Sequence, residues 1–284
     1  MQAALGAISL VASIVNGAIG YGFSSITVPL ALLFLSNRVL NPALVLVELG
    51  LNAYVLWVNR RAVPAVVRRV APIVAGLTPG VVAGTLIVSR VDAGWVKLGT
   101  FTLLLPLILL QAAGFRRPVR AERAAGVVAG GGVGLLYAVT TVSGPPLAAM
   151  LNNQGLANAE FRAAMAVLRL AEGTITAIAY AFAALYTRES LLLIPAILPG
   201  ILIGVPIGAW LVRQVNAEVF RRVCMNVDAV IVAAAIAVLL PALGIASVAV
   251  SAVLLVVVAG ISFALLYQTF SSARPAALTP GDIR

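Results

Sequence analysis

The sequence predicts an all-α polytopic membrane protein with two inverted repeats, each a broken or re-entrant helical hairpin plus three transmembrane helices, and one extra C-terminal helix. Three observations predict this fold class: an extreme apolar composition, an internal two-fold repeat, and an uneven distribution of basic residues. Of the 284 residues, 62% are hydrophobic and only 10% are charged, whereas a soluble domain has about 45–50% and about 25%. The mean hydropathy is +1.10. These values predict a chain that lies in a lipid bilayer.

The predicted spans are apolar runs long enough to cross the hydrocarbon core, which is about 30 Å thick and needs about 20 helical residues. The N-terminus lacks the basic segment of a secretory signal peptide, so we expect the first apolar segment to be retained. These runs leave no room for a soluble domain. They lie near 41–58, 66–88, 95–113, 163–185, 190–212, 220–240 and 244–268.

Two related hydroxyl-rich stretches indicate an internal repeat. The stretch YGFSSITVPL at 21–30 aligns with YAVTTVSGPPL at 137–147 at an offset of 116 residues. Each stretch places a tyrosine, two adjacent hydroxyls and a third hydroxyl shortly before Pro-Leu. The same chemistry is therefore expected once in each half of the chain.

A second correspondence, at an offset of 124 residues, fixes the extent of the repeat. It aligns a ladder of three glycines spaced by four, beginning at Gly76, with a ladder that begins at Gly200, and it superimposes Glu48 on Glu172. Such self-similarity predicts duplicated structural units. The predicted units are a first membrane repeat at 1–118, a second at 119–243, an additional transmembrane helix at 244–270 and a cytoplasmic tail at 271–284.

The basic residues predict the orientation, because loops rich in Lys and Arg stay on the cytoplasmic side. The loops taken as cytoplasmic are 59–69, 116–123 and 213–222. With this assignment, segment 124–153 starts and ends on the same face as a re-entrant hairpin, and 5–35 is its twin. Each half then has three crossings, an odd number, so the halves are inverted. In the alternative, 5–35 spans as a kinked helix, which keeps the same sites but loses the inversion. Four basic residues fall outside: Arg38, Arg90, Lys97 and Arg188.

The two breaks predict an anion site. Non-helical backbone at membrane depth is tolerated only where it is buried in protein or lines a polar cavity. Pro29 and Pro146 are expected in the first turn of a following half-helix, whose free N–H groups suit an oxyanion. The predicted substrate-binding residues are Ser24, Ser25, Thr27, Thr140, Thr141, Ser143 and Arg169, with Tyr21 and Tyr137 nearby.

Other roles for these residues stay open. Ser and Thr can instead bond back to carbonyls of their own helix. Arg169 lies deep in a predicted span, where a charge costs about 2.5 kcal/mol or more, and it is either an anion ligand or the ion-pair partner of Glu172, three residues away. Glu48 has no basic residue within four positions. It is a candidate proton carrier, as is Glu172, or a neutral acid bonded to Asn52.

The composition also excludes several kinds of site. One cysteine and no histidine leave metal sites, haem and a histidine proton relay unsupported, so no cofactor and no metal is expected. The net charge of +10 does not predict nucleic-acid binding, because no soluble domain carries a basic stripe with interleaved aromatics. The glycine ladders are expected to let helices pack closely.

The stretches GAIGYGFSSITVPL and SGPPLAAMLNNQGLANAEFRAAMA resemble the sulfite exporter TauE/SafE family of bacterial membrane transporters. The resemblance covers nearly the whole chain and is most specific at 143–147, with Gln154-Gly155 and Phe161-Arg162-Ala163 downstream. It implies export of sulfite or small organosulfonates such as sulfoacetate across the cytoplasmic membrane. The chain departs from many members, which have Gly-Gly where it has Ser24-Ser25.

The residues and the resemblance together predict a secondary transporter, not an enzyme, that exports small sulfur oxyanions by alternating access through a midplane anion site. Moving a monoanion out of a negative-inside cell gains about 2.3 kcal/mol per 100 mV, so export needs no coupling ion. The expected partners are a small anionic substrate and the lipid bilayer of the bacterial inner membrane, with a cytoplasmic C-terminus. Two alternatives remain, a passive anion channel and a membrane-embedded enzyme.

Overall fold

The computed structural model describes residues 1–19, 22–113, 123–151, 158–211, 214 and 217–272, and within these ranges the secondary structure is helical. A 3₁₀ turn at Arg60–Ala62 links two of the helices. The α-helices are α1 (Gln2–Ile19), α2 (Phe23–Ala31), α3 (Asn37–Val58), α4 (Val63–Arg90), α5 (Ala93–Ala112), α6 (Arg123–Thr140), α7 (Gly144–Leu151), α8 (Asn158–Phe182), α9 (Arg188–Leu191), α10 (Ile194–Leu211), α11 (Ala217–Ala242) and α12 (Val248–Ser272).

Seven helical segments of the described chain are long and apolar enough to cross a membrane. They fall on the seven predicted runs, so this part of the prediction is confirmed and the chain is a multi-pass membrane protein. α1 and α6 are apolar but shorter, and each is followed by a short helix after a break. The spans are Asn37–Val58, Arg60–Arg90, Ala93–Leu110, Ala159–Phe182, Arg188–Leu211, Arg222–Ala242 and Val248–Ser271.

Both breaks contain a residue with left-handed backbone. Gly22, which precedes α2, has φ 103°, and Thr141, which follows α6, has φ 54°. Glycine adopts this conformation at little cost, whereas a β-branched residue is strained there. The second break therefore stores backbone strain that the first avoids, and such strain is often found at functional sites.

The breaks correct two details of the predicted repeat. α1 and α6 end, and α2 and α7 begin, at an offset of 121 residues rather than the 116 of the hydroxyl stretches. The first stretch therefore lies mostly inside α2, whereas the second runs from the last turn of α6 across its break. Pro146 is in the first turn of α7, as expected, but Pro29 lies in the interior of α2 because that helix starts directly after Gly22.

Close helix packing joins the two predicted halves. α1 of the first half packs on α10 of the second, and α6 of the second half packs on α4 of the first, in each case with the chains running in the same direction. A Cβ added at Gly200 would lie 2.7 Å from the backbone nitrogen of Leu10, and one at Gly84 would lie 2.7 Å from the Cβ of Ala138. The prediction that the glycine ladders serve close packing is confirmed.

α7 packs on α8 and on α5. Leu147 and Leu151 of α7 share a buried apolar cluster with Val66 and Val70 of α4. α6, by contrast, approaches α4 from the level of Pro72 up to that of Gly84. The apolar residues of α7 are thus grouped with the first turns of α4, whereas α6 follows the turns after them.

Arg38 ties the beginning of α3 to the end of α4. Its Nε donates to the carbonyl of Val88 at 2.8 Å, and its Nη2 donates to Ser89 at 3.0 Å and to Val91 at 2.8 Å. The last carbonyls of a helix have no partner within the helix, so a cation that donates to them stabilises the terminus. The start of α3 and the end of α4 therefore lie at the same end of the bundle.

Candidate functional site

A buried carboxylate, Glu48, is at the centre of the candidate site. It lies near the middle of α3 with 0% of its surface exposed. It accepts hydrogen bonds from the hydroxyl of Ser24 on α2, from the hydroxyl of Tyr137 on α6 at 3.1 Å, and from Nη2 of Arg169 on α8 at 3.2 Å. Donors from three other helices thus converge on one carboxylate.

The ion pair of Arg169 is neither the Arg169–Glu172 pair nor the Glu48–Asn52 contact considered from the sequence. Arg169, only 4% exposed, pairs with Glu48 of another helix rather than with Glu172 of its own. Glu48 in turn is bonded to Ser24, Tyr137 and Arg169, and not to Asn52. The reason is geometric: α3 and α8 pack side by side, so their mid-helix side chains face each other.

The guanidinium of Arg169 is only partly used by this pair. Nη2 donates to Glu48, whereas Nε is buried and has no hydrogen-bond partner among the residues the structure describes. These two nitrogens form one edge of the planar guanidinium, which can hold two oxygens of an oxyanion at once. The edge therefore has one N–H that the described residues do not use.

Glu172, on the helix of Arg169, is a second buried carboxylate. It is 0% exposed, and its Oε1 accepts a hydrogen bond from Ser143, the residue just before α7. Its Oε2 is buried with no partner in the described part of the chain. Ser24 and Glu48 form the same arrangement at the start of α2, so a serine at each short-helix N-terminus donates to a glutamate.

The carbonyls freed at the end of α6 are satisfied by side chains. Asn41 donates to the carbonyl of Val139 at 2.8 Å, Asn37 donates to the same oxygen at 3.2 Å, and Tyr180 donates to the carbonyl of Ala138. A buried carbonyl without a donor would cost about 1–3 kcal/mol. These three side chains make the break tolerable inside a membrane protein.

Thr140 and Thr141, two of the predicted ligands, use their hydroxyl groups in hydrogen bonds to the backbone of this same break. Thr140 donates to the carbonyl of Leu136 at 2.7 Å and accepts from the backbone N–H of Val142 at 3.0 Å. Thr141 donates to the carbonyl of Thr140 at 2.7 Å. Their hydroxyl protons are thus already used, which is the back-bonding alternative that the sequence left open.

The other predicted site residues lie in different environments. Ser25 and Thr27 are buried on α2, and the Thr27 hydroxyl has no partner within the described residues. Asn52 is buried one turn after Glu48. Tyr21 lies outside the described residues, so its predicted place beside the site stays a prediction.

Sequence reasoning missed Asn37, Asn41 and Tyr180. The two asparagines are four residues apart and so lie on one face at the start of an apolar span, which was an available signal of a buried polar contact. Tyr180 gave no such signal, because a tyrosine near the end of a span is equally expected at a membrane interface.

The cluster contains more acidic than basic side chains. Glu48 and Glu172 face a single cation, Arg169, and with both carboxylates ionised the three side chains carry one net negative charge in a buried environment. Buried charges are tolerated when they are paired and hydrogen-bonded. No group of three His, Cys, Asp or Glu side chains able to hold a metal ion occurs in the described ranges.

Comparison with known proteins identifies the family. The family model "Sulfite exporter TauE/SafE" matches residues 5–238, which include every helix of the site and end before α12. Neither the comparison with curated proteins nor that with solved structures gives a match. The family model covers far more than half of the chain, in agreement with the seven apolar spans. The chain therefore belongs to the sulfite exporter TauE/SafE family of membrane transporters.

Proposed function

We propose that this protein is a secondary transporter that exports small sulfur oxyanions or organosulfonates, such as sulfite or sulfoacetate, through a site centred on Arg169. One observation carries the proposal: a buried guanidinium in the middle of α8, beside hydroxyl donors of α2 and α6. Charged side chains within a membrane are costly and usually belong to a transport pathway or to a partner of opposite charge. Family membership supplies the substrate class.

The proposed site combines several kinds of donor. Arg169 offers an N–H edge, Ser24 and Tyr137 offer hydroxyls, and the first turns of α2 and α7 offer backbone N–H groups and the positive ends of helix dipoles. A sulfonate has three oxygens and needs donors from several directions. Ser143, Ser25 and Thr27 belong to the same two helix starts and are retained as candidate ligands.

The helix packing supports inverted repeats. α1 runs along α10 in the way that α6 runs along α4, so the first helix of each half would pack against the other half. The grouping of α7 with the first turns of α4, while α6 runs along α4 from Pro72 to Gly84, supports a re-entrant hairpin at 124–153. Under this proposal 1–118 and 119–243 are the two repeats, α12 is an addition to them, and the C-terminal tail is cytoplasmic.

The burial of the site supports alternating access over an open channel. Glu48, Tyr137 and Glu172 are each 0% exposed, so substrate reaches them only after helices move. Opening to one side and then to the other gives export of the bound anion across the bacterial inner membrane, which the membrane potential favours by about 2.3 kcal/mol per 100 mV when a monoanion moves without a coupling ion.

The test is counter-flow of labelled sulfoacetate in proteoliposomes containing the purified protein. Tyr137→Phe and Ser24→Ala each remove one hydrogen bond to a charged acceptor, which is worth about 1.5–3 kcal/mol, and should raise the half-saturation concentration by about tenfold to a hundredfold. Tyr267→Phe is the matched control, because Tyr267 is 68% exposed on α12, beyond the matched region.

The outcomes separate the competing functions. Counter-flow that weakens in the site variants and not in the control supports the transporter. Flux with high unitary conductance and no counter-flow stimulation would instead indicate a passive channel. A new chemical product of the incubated anion, found by mass spectrometry, would indicate an enzyme.

A further inference from the structure

The Glu48 carboxylate occupies the place that an oxyanion would take in this site. Its two oxygens accept from Ser24, Tyr137 and Arg169, which belong to three different helices. A carboxylate and a sulfonate use the same donors, because both present negatively charged oxygens to hydroxyls and a guanidinium. The protein's own side chain thus holds the position in which the proposed substrate would bind.

Glu48 holds this position imperfectly. It takes one N–H of the Arg169 edge, at 3.2 Å, and leaves the neighbouring Nε without a partner among the described residues. An oxyanion with three oxygens can accept from both nitrogens of the edge and keep an oxygen for Ser24 or Tyr137. Bidentate pairing with arginine is the stronger arrangement, so an external sulfonate can compete with Glu48 for Arg169.

We propose that the substrate anion displaces Glu48 from Arg169 and that the displaced carboxylate takes up one proton, so that anion and proton cross the membrane together. The inference rests on the proposed transport function and adds its coupling ion. The step is balanced: the anion replaces the carboxylate on the guanidinium, and a hydronium ion at the open face gives its proton to the freed carboxylate, which gains one O–H bond while water is released.

The charge of the buried cluster gives the physical reason. With both glutamates ionised, the cluster of Glu48, Glu172 and Arg169 carries one net negative charge, and a bound monoanion would raise this to two. A displaced carboxylate that stays ionised would also have lost its cation inside a buried site, which costs several kcal/mol. One proton on Glu48 restores the original net charge.

Few other charged or titratable side chains near the cluster could compensate the negative charge of a bound anion. α6 contributes Tyr137 to the cluster, and Tyr180 of α8 donates to the backbone of α6. α2, α10 and the described part of α7 contribute no acidic or basic side chain. The charged side chains of the other segments packed on α3 and α8 belong to their end regions: Arg60, Arg61, Arg68, Arg69, Arg90, Lys97, Arg188 and Glu189.

Proton coupling changes the energetics of transport. An anion that moves with one proton carries no net charge, so the membrane potential no longer drives the movement. The substrate gradient and the pH difference across the membrane set the direction instead. A protein without the Glu48 carboxyl would move the anion alone and would again respond to the potential.

The first test measures proton uptake during binding. Methanesulfonate, which stays ionised throughout, is titrated into the purified protein by calorimetry in two buffers of different ionisation enthalpy. We expect about one proton taken up per anion in the wild type and about none in Glu48→Gln, which keeps Arg169. Asp228→Asn is the matched control, because Asp228 is a carboxyl only 1% exposed on α11, outside the cluster, and this variant should keep the uptake.

The second test measures the effect of voltage. A potassium diffusion potential of about 100 mV across proteoliposomes should leave methanesulfonate accumulation by the wild type unchanged. In Glu48→Gln it should change the accumulation ratio by up to about 50-fold, which corresponds to about 2.3 kcal/mol per charge.

The outcomes distinguish this inference from the function on which it rests. Methanesulfonate binding without proton uptake in the wild type overturns the coupling and leaves anion transport standing. Loss of uptake in Glu172→Gln, with uptake kept in Glu48→Gln, overturns the assignment to Glu48. Folded protein that binds no sulfonate and moves none contradicts both proposals.

Discussion

Removal of one partner of the Glu48–Arg169 pair should be among the most destabilising single changes in the fold. Its atoms are 3.2 Å apart, and the two side chains are 1% and 5% exposed. The perturbation is a double-mutant cycle of Glu48→Gln, Arg169→Met and the combined variant. Because each single change leaves the other charge buried without its partner, each should destabilise more than the combined change does.

The magnitude follows from burial and distance. Two unit charges about 4 Å apart attract by about 4 kcal/mol at an effective dielectric constant of about 20, and removing one member of a buried pair costs about 3–5 kcal/mol. The loss of stability caused by Glu48→Gln should lie at the lower end of this range, because Glu172 is three residues from Arg169 on α8 and can replace Glu48 as its partner. The coupling energy of the cycle should be about 2–3 kcal/mol.

The assay is unfolding of the purified protein in mixed micelles by increasing denaturing detergent, followed by circular dichroism. Arg90→Met removes an exposed arginine and serves as the control, with an expected change within about 0.5 kcal/mol. The loss caused by Arg169→Met should shrink at low pH, because protons neutralise carboxylates left without their cation. Additive single effects, with a coupling energy near zero, would refute the reasoning.

Two further predictions concern backbone packing and conformation. In the same unfolding assay Gly134→Ala should destabilise the protein by about 2 kcal/mol or more, because the added Cβ would lie 2.5 Å from the carbonyl oxygen of Leu77. Gly132→Ala on the same helix is the control: its added Cβ would meet nothing within 4 Å, so this change should be neutral or slightly stabilising. Ala184→Gly should stabilise the protein by about 1 kcal/mol and Gly244→Ala should destabilise it by a similar amount, because both positions have left-handed backbone, with φ 53° and 68°. A change in stability of the same sign for both variants would show that backbone strain is not the cause.

The spans could be predicted from the sequence because burial in lipid imposes a simple rule on every residue of a crossing. The run 41–58, for example, corresponds to the helix Asn37–Val58. The extra residues at its start include Asn37, which is polar and was left out of the run although it is buried. A hydropathy pattern records apolar side chains and so misses a polar residue that binds backbone inside the protein.

The position of each break could not be predicted in the same way. Similar hydroxyl-rich stretches occur in both halves, but the helix ends before Ser24 in one and after Thr140 in the other. What decides the place is a residue that adopts left-handed backbone, Gly22 or Thr141. Glycine is a known signal for this conformation, whereas a threonine is not, so the second break could be placed only from the structure.

The pairing of Glu48 with Arg169 could not be predicted from the sequence either. The two residues are far apart in the chain, and the nearer Glu172 offered a local partner for the arginine at helical spacing. Local spacing indicates only what one helix can satisfy by itself. Which of two acids contacts the guanidinium depends on the packing of α3 against α8, and that packing is set by the whole bundle.

An internal carboxylate on Arg169 has a consequence for selectivity. If Glu48 and the substrate compete for one guanidinium edge, a simple carboxylate gains little, because it offers the same two oxygens that Glu48 already provides without loss of translational freedom. A sulfonate or sulfite offers a third oxygen, which can use the Nε that Glu48 leaves unpaired. The same exchange keeps Arg169 paired in both the empty and the loaded states, so neither state has to bury an isolated cation while the helices move. Selection of sulfur oxyanions over carboxylates would then follow from the resident acid as much as from the donors around it.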